Sequence, residues 1–76
     1  MPSKFKIRKG KEVIDALEKL GFVEISQKGS HIKFRFSQTN VVVPNHTELA
    51  IGTLNAIYKV ARSLANSDEV DDLFLN

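Results

Sequence analysis

Apolar residues recur along this 76-residue chain with two different periods, and the change of period marks its elements. From Lys11 to Leu20 they fall at Val13, Ile14, Leu17 and Leu20, with charged residues between them. That is the three-to-four spacing of a helix that buries one face. Gly21, the residue type that most readily takes a left-handed turn, follows, so a first helix is predicted over about residues 10–20. Period two then takes over. Phe22–Gln27 reads as a strand, Lys28-Gly29-Ser30 as a turn, and His31-Ile32-Lys33-Phe34-Arg35-Phe36 as a second strand. Its alternation sends Ile32, Phe34 and Phe36 to one side and His31, Lys33 and Arg35 to the other. Ser37–Asn40 is a second polar turn, and Val41-Val42-Val43 is a third strand that ends, or lies at an edge, at Pro44.

Asn45–Ala50 reads as a loop. A second helix follows, with Thr53 as its N-cap and an apolar face of Leu54, Ile57, Tyr58, Ala61, Leu64 and Ala65. Asn66 and Glu69 have the spacing of a capping box, opening a short acidic helix from Asp68 to about Leu75 that packs Val70, Leu73 and Phe74. The order implies an α+β domain: a three-stranded antiparallel sheet, both longer helices on one face, the other face open, and a short C-terminal helix. The expected core is Val13, Leu17, Leu20, Val23, Ile25, Ile32, Phe34, Phe36, Val41, Val43, Leu54, Ile57 and Ala61.

A two-residue turn at Gln38-Thr39 sets Phe36 opposite Val41 and Phe34 opposite Val43 on the buried side. Lys33 then stands across from Pro44 and Arg35 across from Val42. If pairing continues past Pro44, His31 stands opposite His46.

Composition narrows the class. Seventy-six residues with 42% hydrophobic content suit one small globular domain, with residues 1–9 as a basic N-terminal segment and 67–76 as an acidic C-terminal one. The absence of cysteine removes disulfides and thiolate zinc sites, and two histidines without clustered carboxylates do not make a metal site. The basic start, Met1 to Lys9, is not followed by the apolar stretch that a secretory signal or membrane span needs. Cytoplasmic residence without membrane contact is therefore expected. The net charge of +2 hides an asymmetry: the first 66 residues hold all eleven Lys and Arg against five acids. Asp68, Glu69, Asp71 and Asp72 crowd the tail. Such a body attracts a polyanion, although basic domains that touch no nucleic acid are also common.

His31 is the candidate for chemistry. It follows the Gly29-Ser30 turn and has Lys28, Lys33 and Arg35 as neighbours. Imidazole moves protons near neutral pH, cations stabilise charge growing on a phosphate, and successive turn amides such as those of Gly29 and Ser30 point at anions. These are the needs of metal-independent RNA cleavage: a base for the 2′-hydroxyl, an acid for the departing 5′-oxygen, and positive charge at the phosphate. The competing reading of His31 is a surface histidine at a strand start. His46 is either the complementary acid or base or a loop residue that ends a strand. Tyr58 reads as core, and Lys59 and Arg62 either help with phosphates or form a solvated face. No phosphate-binding loop, nucleophile elbow or zinc-helix signature occurs, and no cofactor is indicated. Three function classes remain: a ribonuclease, a non-catalytic RNA-binding module, and a protein-interaction domain.

The run Gly10-Lys11-Glu12-Val13-Ile14, Leu17-Glu18-Lys19-Leu20-Gly21-Phe22, Gln27-Lys28-Gly29-Ser30-His31, Val43-Pro44-Asn45-His46 and Gly52-Thr53-Leu54 with Ile57 resembles the HicA toxins. The likeness covers nearly the whole chain, in order. It implies a fold like the double-stranded RNA-binding domain, in αβββα order. It also implies a type II toxin that cleaves messenger RNA, with His31 as the essential histidine and a HicB-type antitoxin that blocks the active face. Two departures stand out. Lys9 occupies the place where the family often has a capping Ser, and the Ser37–Asn40 turn lacks the glycine common in relatives.

Overall fold

The computed structural model describes residues 4–75. Helix α1 (Gly10–Lys19) is followed by strands β1 (Val23–Lys28), β2 (His31–Phe36) and β3 (Thr39–Pro44), then helices α2 (Ile51–Leu64) and α3 (Ser67–Phe74). The strands form one antiparallel sheet in the order β1-β2-β3. This is an α+β fold in the αβββα order of the double-stranded RNA-binding domain, extended by the short terminal helix. Among the described residues, no helix is long and apolar enough to cross a membrane.

Each helix is started and stopped by local chemistry. Lys9, at the N-cap of α1, has no acceptor to offer, and Glu12 compensates from the first turn. Its Oε1 accepts from the N–H groups of Lys9 at 3.0 Å and Arg8 at 3.1 Å. The helix ends in a Schellman turn: Gly21 N–H donates to Glu18 C=O and Phe22 N–H to Leu17 C=O, with Gly21 at φ +101°. Helix α2 begins one turn earlier than predicted. Ala50 is its N-cap, without a side-chain bond, and Thr53 lies inside the helix. Asn66 does cap α3, its Oδ1 accepting from Glu69 N–H at 3.0 Å.

The core differs from the expected list at β1. Val23 and Ile25 are 61% and 42% exposed, and every residue of that strand is solvent-facing. The Schellman turn is the cause: it turns Phe22, the residue before the strand, into the core, where its ring meets Phe36 at 4.8 Å. Val23 then falls opposite Arg35 on the open side, and a bulge between Glu24 and Ser26 leaves Ile25 outside the pairing register. Leu20 and Phe36 are only partly buried, whereas Ala16, Leu49, Phe5 and Ile7 join the buried core. The rings of Phe5, Tyr58 and Phe74 make a mutual edge-to-face trio at 5.7–6.4 Å, and Lys6 N–H bonds to Phe74 C=O. The N-terminal segment is thereby sewn to α2 and α3.

The β2–β3 hairpin also differs in register. Its turn is Ser37-Gln38, with Ser37 at φ +58°, and it pairs Phe36 with Thr39, Phe34 with Val41, Ile32 with Val43 and His31 with Pro44. The slip is two residues from expectation, so every side chain keeps its face. The observed register uses all six residues of β2 and opposes two buried pairs, Phe34 with Val41 and Ile32 with Val43, where the expected one would leave Ile32 against the loop. Thr39, β-branched, joins a strand more readily than a turn.

Helix α3 is clipped to α2 by a polar triad. Asp71 Oδ1 accepts from Tyr58 Oη at 2.6 Å and from Arg62 Nε at 3.0 Å, and its Oδ2 accepts from Arg62 Nη2 at 3.3 Å. Arg62, and then Tyr58, hold the Asp71 carboxyl below its ordinary 3.8, and the bond to Asp71 raises the Tyr58 hydroxyl above 10.0. The Glu12 carboxyl is likewise lowered, by the N–H groups of Lys9 and then Arg8. The lowered carboxylates contribute stability that is present at neutral pH and lost as pH falls through their folded values. Tyr58 contributes stability that is lost as pH rises past 10 toward its folded value. Asp71→Asn should therefore be less stable than the parent in urea at pH 7, and the gap should narrow at an acid pH below the ordinary 3.8 of the carboxyl, as Asp71 takes up its proton. An equal gap at both pH values would mean that the charge on Asp71 contributes nothing.

Candidate active site

The open face of β2 carries His31, Lys33 and Arg35, all exposed, while Ile32 and Phe34 are buried beneath them. Lys28 lies directly across from His31 at the β1 edge. Lys33 stands two positions along and Arg35 four, about 13 Å from His31 at ~3.3 Å per residue. Arg35 is oriented by Asn40, its register partner, whose Oδ1 accepts from Arg35 Nε at 3.0 Å. Gly29, at φ +60°, and Ser30 form the turn that presents His31. Glycine suits this left-handed position because it carries no Cβ.

His46 reaches the same place by another route. It is not the direct cross-strand partner of His31, because Pro44 takes that position. Two residues past Pro44 the alternation returns to the same side, so His46 is the diagonal neighbour of His31. The rings meet edge to face with centroids 6.3 Å apart. Pairing does continue one step past Pro44: Asn45 N–H donates to Ser30 C=O at 2.6 Å. Ser30 Oγ and His46 Nε2 are also bonded, at 3.3 Å.

The other side of this loop is fastened to α1. Gly10 N–H donates to His46 C=O at 2.8 Å, and Leu49 N–H donates to Arg8 C=O at 2.8 Å. A Cβ at Gly10 would sit 2.8 Å from His46 N, 2.8 Å from Pro44 O and 2.9 Å from Asn45 Cα, all backbone atoms. Gly10 is thus the residue that lets the first turn of α1 press against the loop carrying His46. Sequence reasoning missed this role, since nothing local to Gly10 announces a contact 36 positions away.

Of the sequence-predicted residues, Lys28, Gly29, Ser30, His31, Lys33, Arg35 and His46 come together on the open face or its rim. Arg62 does not: it is engaged by Asp71 between α2 and α3, behind the sheet. Lys59 is a solvated residue of α2. Exposed Val23, Ile25 and Val42, which sequence reasoning did not connect with the site, add apolar surface to this sheet. Val42 is the register partner of Lys33 and Val23 that of Arg35. Among the described residues, no three His, Asp or Glu side chains are grouped to hold a metal ion.

Fold and site together define a small αβββα protein whose open, basic sheet face ends in a pair of adjoining histidines. A family model described as the HicA toxin of bacterial toxin–antitoxin systems matches residues 10–62, from the start of α1 almost to the end of α2. The chain belongs to the HicA toxin family and is the toxin of a toxin–antitoxin system, with an antitoxin as its cognate partner. No curated protein and no solved structure matched the chain.

Gly10→Ala should cost about 1–3 kcal/mol, because the added methyl meets backbone rather than a side chain that swings away. Gly52 has nothing within 4 Å of its Cβ position and lies in the first turn of α2. Gly52→Ala should stabilise by about 0.5–1 kcal/mol. Urea denaturation of both variants checks the pair, and equal effects would show that the close approach at Gly10 is not a constraint.

Proposed function

We propose that this toxin is a metal-independent endoribonuclease that cleaves messenger RNA, with His31 as its proton-transfer group. The observation that carries the reading is an exposed imidazole at the rim of a sheet, with Lys28 across from it and Lys33 beside it on the same face. Cleavage of an RNA strand proceeds by attack of a 2′-oxygen on the adjacent phosphorus and departure of the 5′-oxygen. His31 supplies proton transfer to or from those oxygens. Lys28 and Lys33 neutralise charge growing on the phosphoryl oxygens, and the turn amides of Gly29 and Ser30 add donors. Arg35 is too far along the strand to touch the same phosphate and instead grips the backbone at a neighbouring nucleotide. His46 lies within the same RNA-contacting surface.

The face also suits the partner. Val23, Ile25 and Val42 expose apolar surface between the cations, a mixture that a protein covers better than water does. In this reading a HicB-type antitoxin lies over the open face, excluding RNA and screening His31. The place of action is then the cytoplasm, where messenger RNA is met.

His31→Ala should slow cleavage of a long messenger on the order of 10²–10⁴-fold in buffer containing a chelator, with the fold intact by circular dichroism. Arg35→Ala should instead raise KM and flatten the salt dependence while leaving kcat near the parent value. Mapped RNA ends check both. A His31→Ala protein that cuts as fast as the parent removes the assignment. Salt-sensitive RNA binding without any cleavage product would make the protein a non-catalytic RNA-binding module.

A further inference from the structure

We propose that His46 is a second catalytic residue, acting across one phosphodiester from His31, and that Ser30 is the positioning residue that holds its ring. The proposal rests on the ribonuclease reading above and extends it from one proton-transfer group to two.

The attacking and leaving oxygens of an in-line displacement lie on opposite sides of phosphorus, so one imidazole cannot serve both at once. A second group that titrates near neutrality is needed on the far side, and the chain has only two histidines. The Tyr58 hydroxyl is buried and committed to Asp71, away from the sheet face. His46 is exposed, and its ring centroid is 6.3 Å from that of His31. The rings adjoin too closely to hold a phosphoryl group between them. A phosphodiester laid across the exposed pair instead puts its attacking oxygen within the hydrogen-bond reach of one ring, about 2.6–3.2 Å, and its leaving oxygen within that of the other.

The way His46 is held argues in the same direction. An exposed loop histidine contributes little to packing, yet this one is tethered at its backbone and its ring. Its carbonyl accepts from Gly10, the residue before it donates to Ser30 C=O, and its Nε2 is bonded to Ser30 Oγ. Ser30 immediately precedes His31, so one short turn sets the position of both imidazoles. Pre-organising two exposed rings is what a two-group proton transfer requires.

The step balances without a co-reactant. One ring takes the 2′-hydroxyl proton as the O2′–P bond forms. The P–O5′ bond breaks with its electron pair on the 5′-oxygen, which takes a proton from the other ring. The products are a 2′,3′-cyclic phosphate and a 5′-hydroxyl.

The test uses an RNA oligonucleotide spanning a mapped cut site, and the same RNA with sulfur in place of the bridging 5′-oxygen, a leaving group that needs no acid. The parent should give a bell-shaped pH profile for kcat. His46→Ala and His46→Gln should each lose on the order of 10²–10⁴-fold in kcat, with little change in KM and one limb of the bell removed. The sulfur substrate should rescue one of His31→Ala and His46→Ala but not the other, which identifies the acid. Ser30→Ala should lose less, in kcat rather than in KM, and Ser30→Thr, which keeps the hydroxyl, should restore the parent rate. Parent-like cleavage by both His46 variants, or rescue of both histidine variants or of neither, overturns the proposal and leaves the ribonuclease reading standing. A parent protein that cleaves no RNA overturns both.

Discussion

The backbone of Pro44-Asn45-His46 passes so close to the start of α1 that only glycine fits at position 10. That contact organises the functional end of the molecule. On one side the loop is bonded to Gly10 and Arg8, and on the other to Ser30, through Asn45 and the His46 ring. A segment that would otherwise wander over the surface becomes an extension of the β2–β3 ladder. Two imidazoles from residues 15 positions apart are brought edge to face as a result.

The rest of the fold supplies the platform. Phe34, Val43, Leu17 and Leu54 are fully buried, so the central strand is rigid under the side chains it presents outward. Residues outside the family match contribute to the same core: Phe5 before it, and Val70 and Phe74 after it. Charge follows the layers. The open sheet face carries cations and exposed valines, whereas the acids of α3 sit with the helices behind it, one of them locked to Arg62 and Tyr58. The tail therefore does not compete with a polyanion for the basic face, and its Asp71 serves to tie the two C-terminal helices together.

Much of this was readable from side-chain periodicity. The alternation His31-Ile32-Lys33-Phe34-Arg35-Phe36 assigned faces that the two-residue slip in hairpin register left untouched, because faces depend only on parity. The cap at Asn66 and the stop at Gly21 are local signals and were found as such. What was not readable depends on long-range geometry or on small backbone irregularities. The Schellman turn sends Phe22 inward and puts Val23 outside, against the simple reading of Val23 and Ile25 as core. Phe5 and Ile7 sit in a stretch that reads as basic, and only the packed structure shows them buried. Thr53 reads as an N-cap from its residue type, but α2 starts after Ala50 without a side-chain cap. The sequence places His31 directly opposite His46 only if the ladder runs past Pro44; the two histidines meet instead as a diagonal pair, because the two-residue slip puts Pro44 opposite His31.

The site depends on His46 being brought to His31 by the clamp at Gly10, and proton NMR of the isolated protein reads that contact without reference to activity. Cross-relaxation between ring protons of His31 and His46 should be seen in the parent at neutral pH. It should weaken or vanish in Gly10→Ala while contacts beneath the sheet, such as Phe22 to Phe36, persist. A folded parent without the histidine contact, or a Gly10→Ala protein that retains it at full strength, would contradict the account.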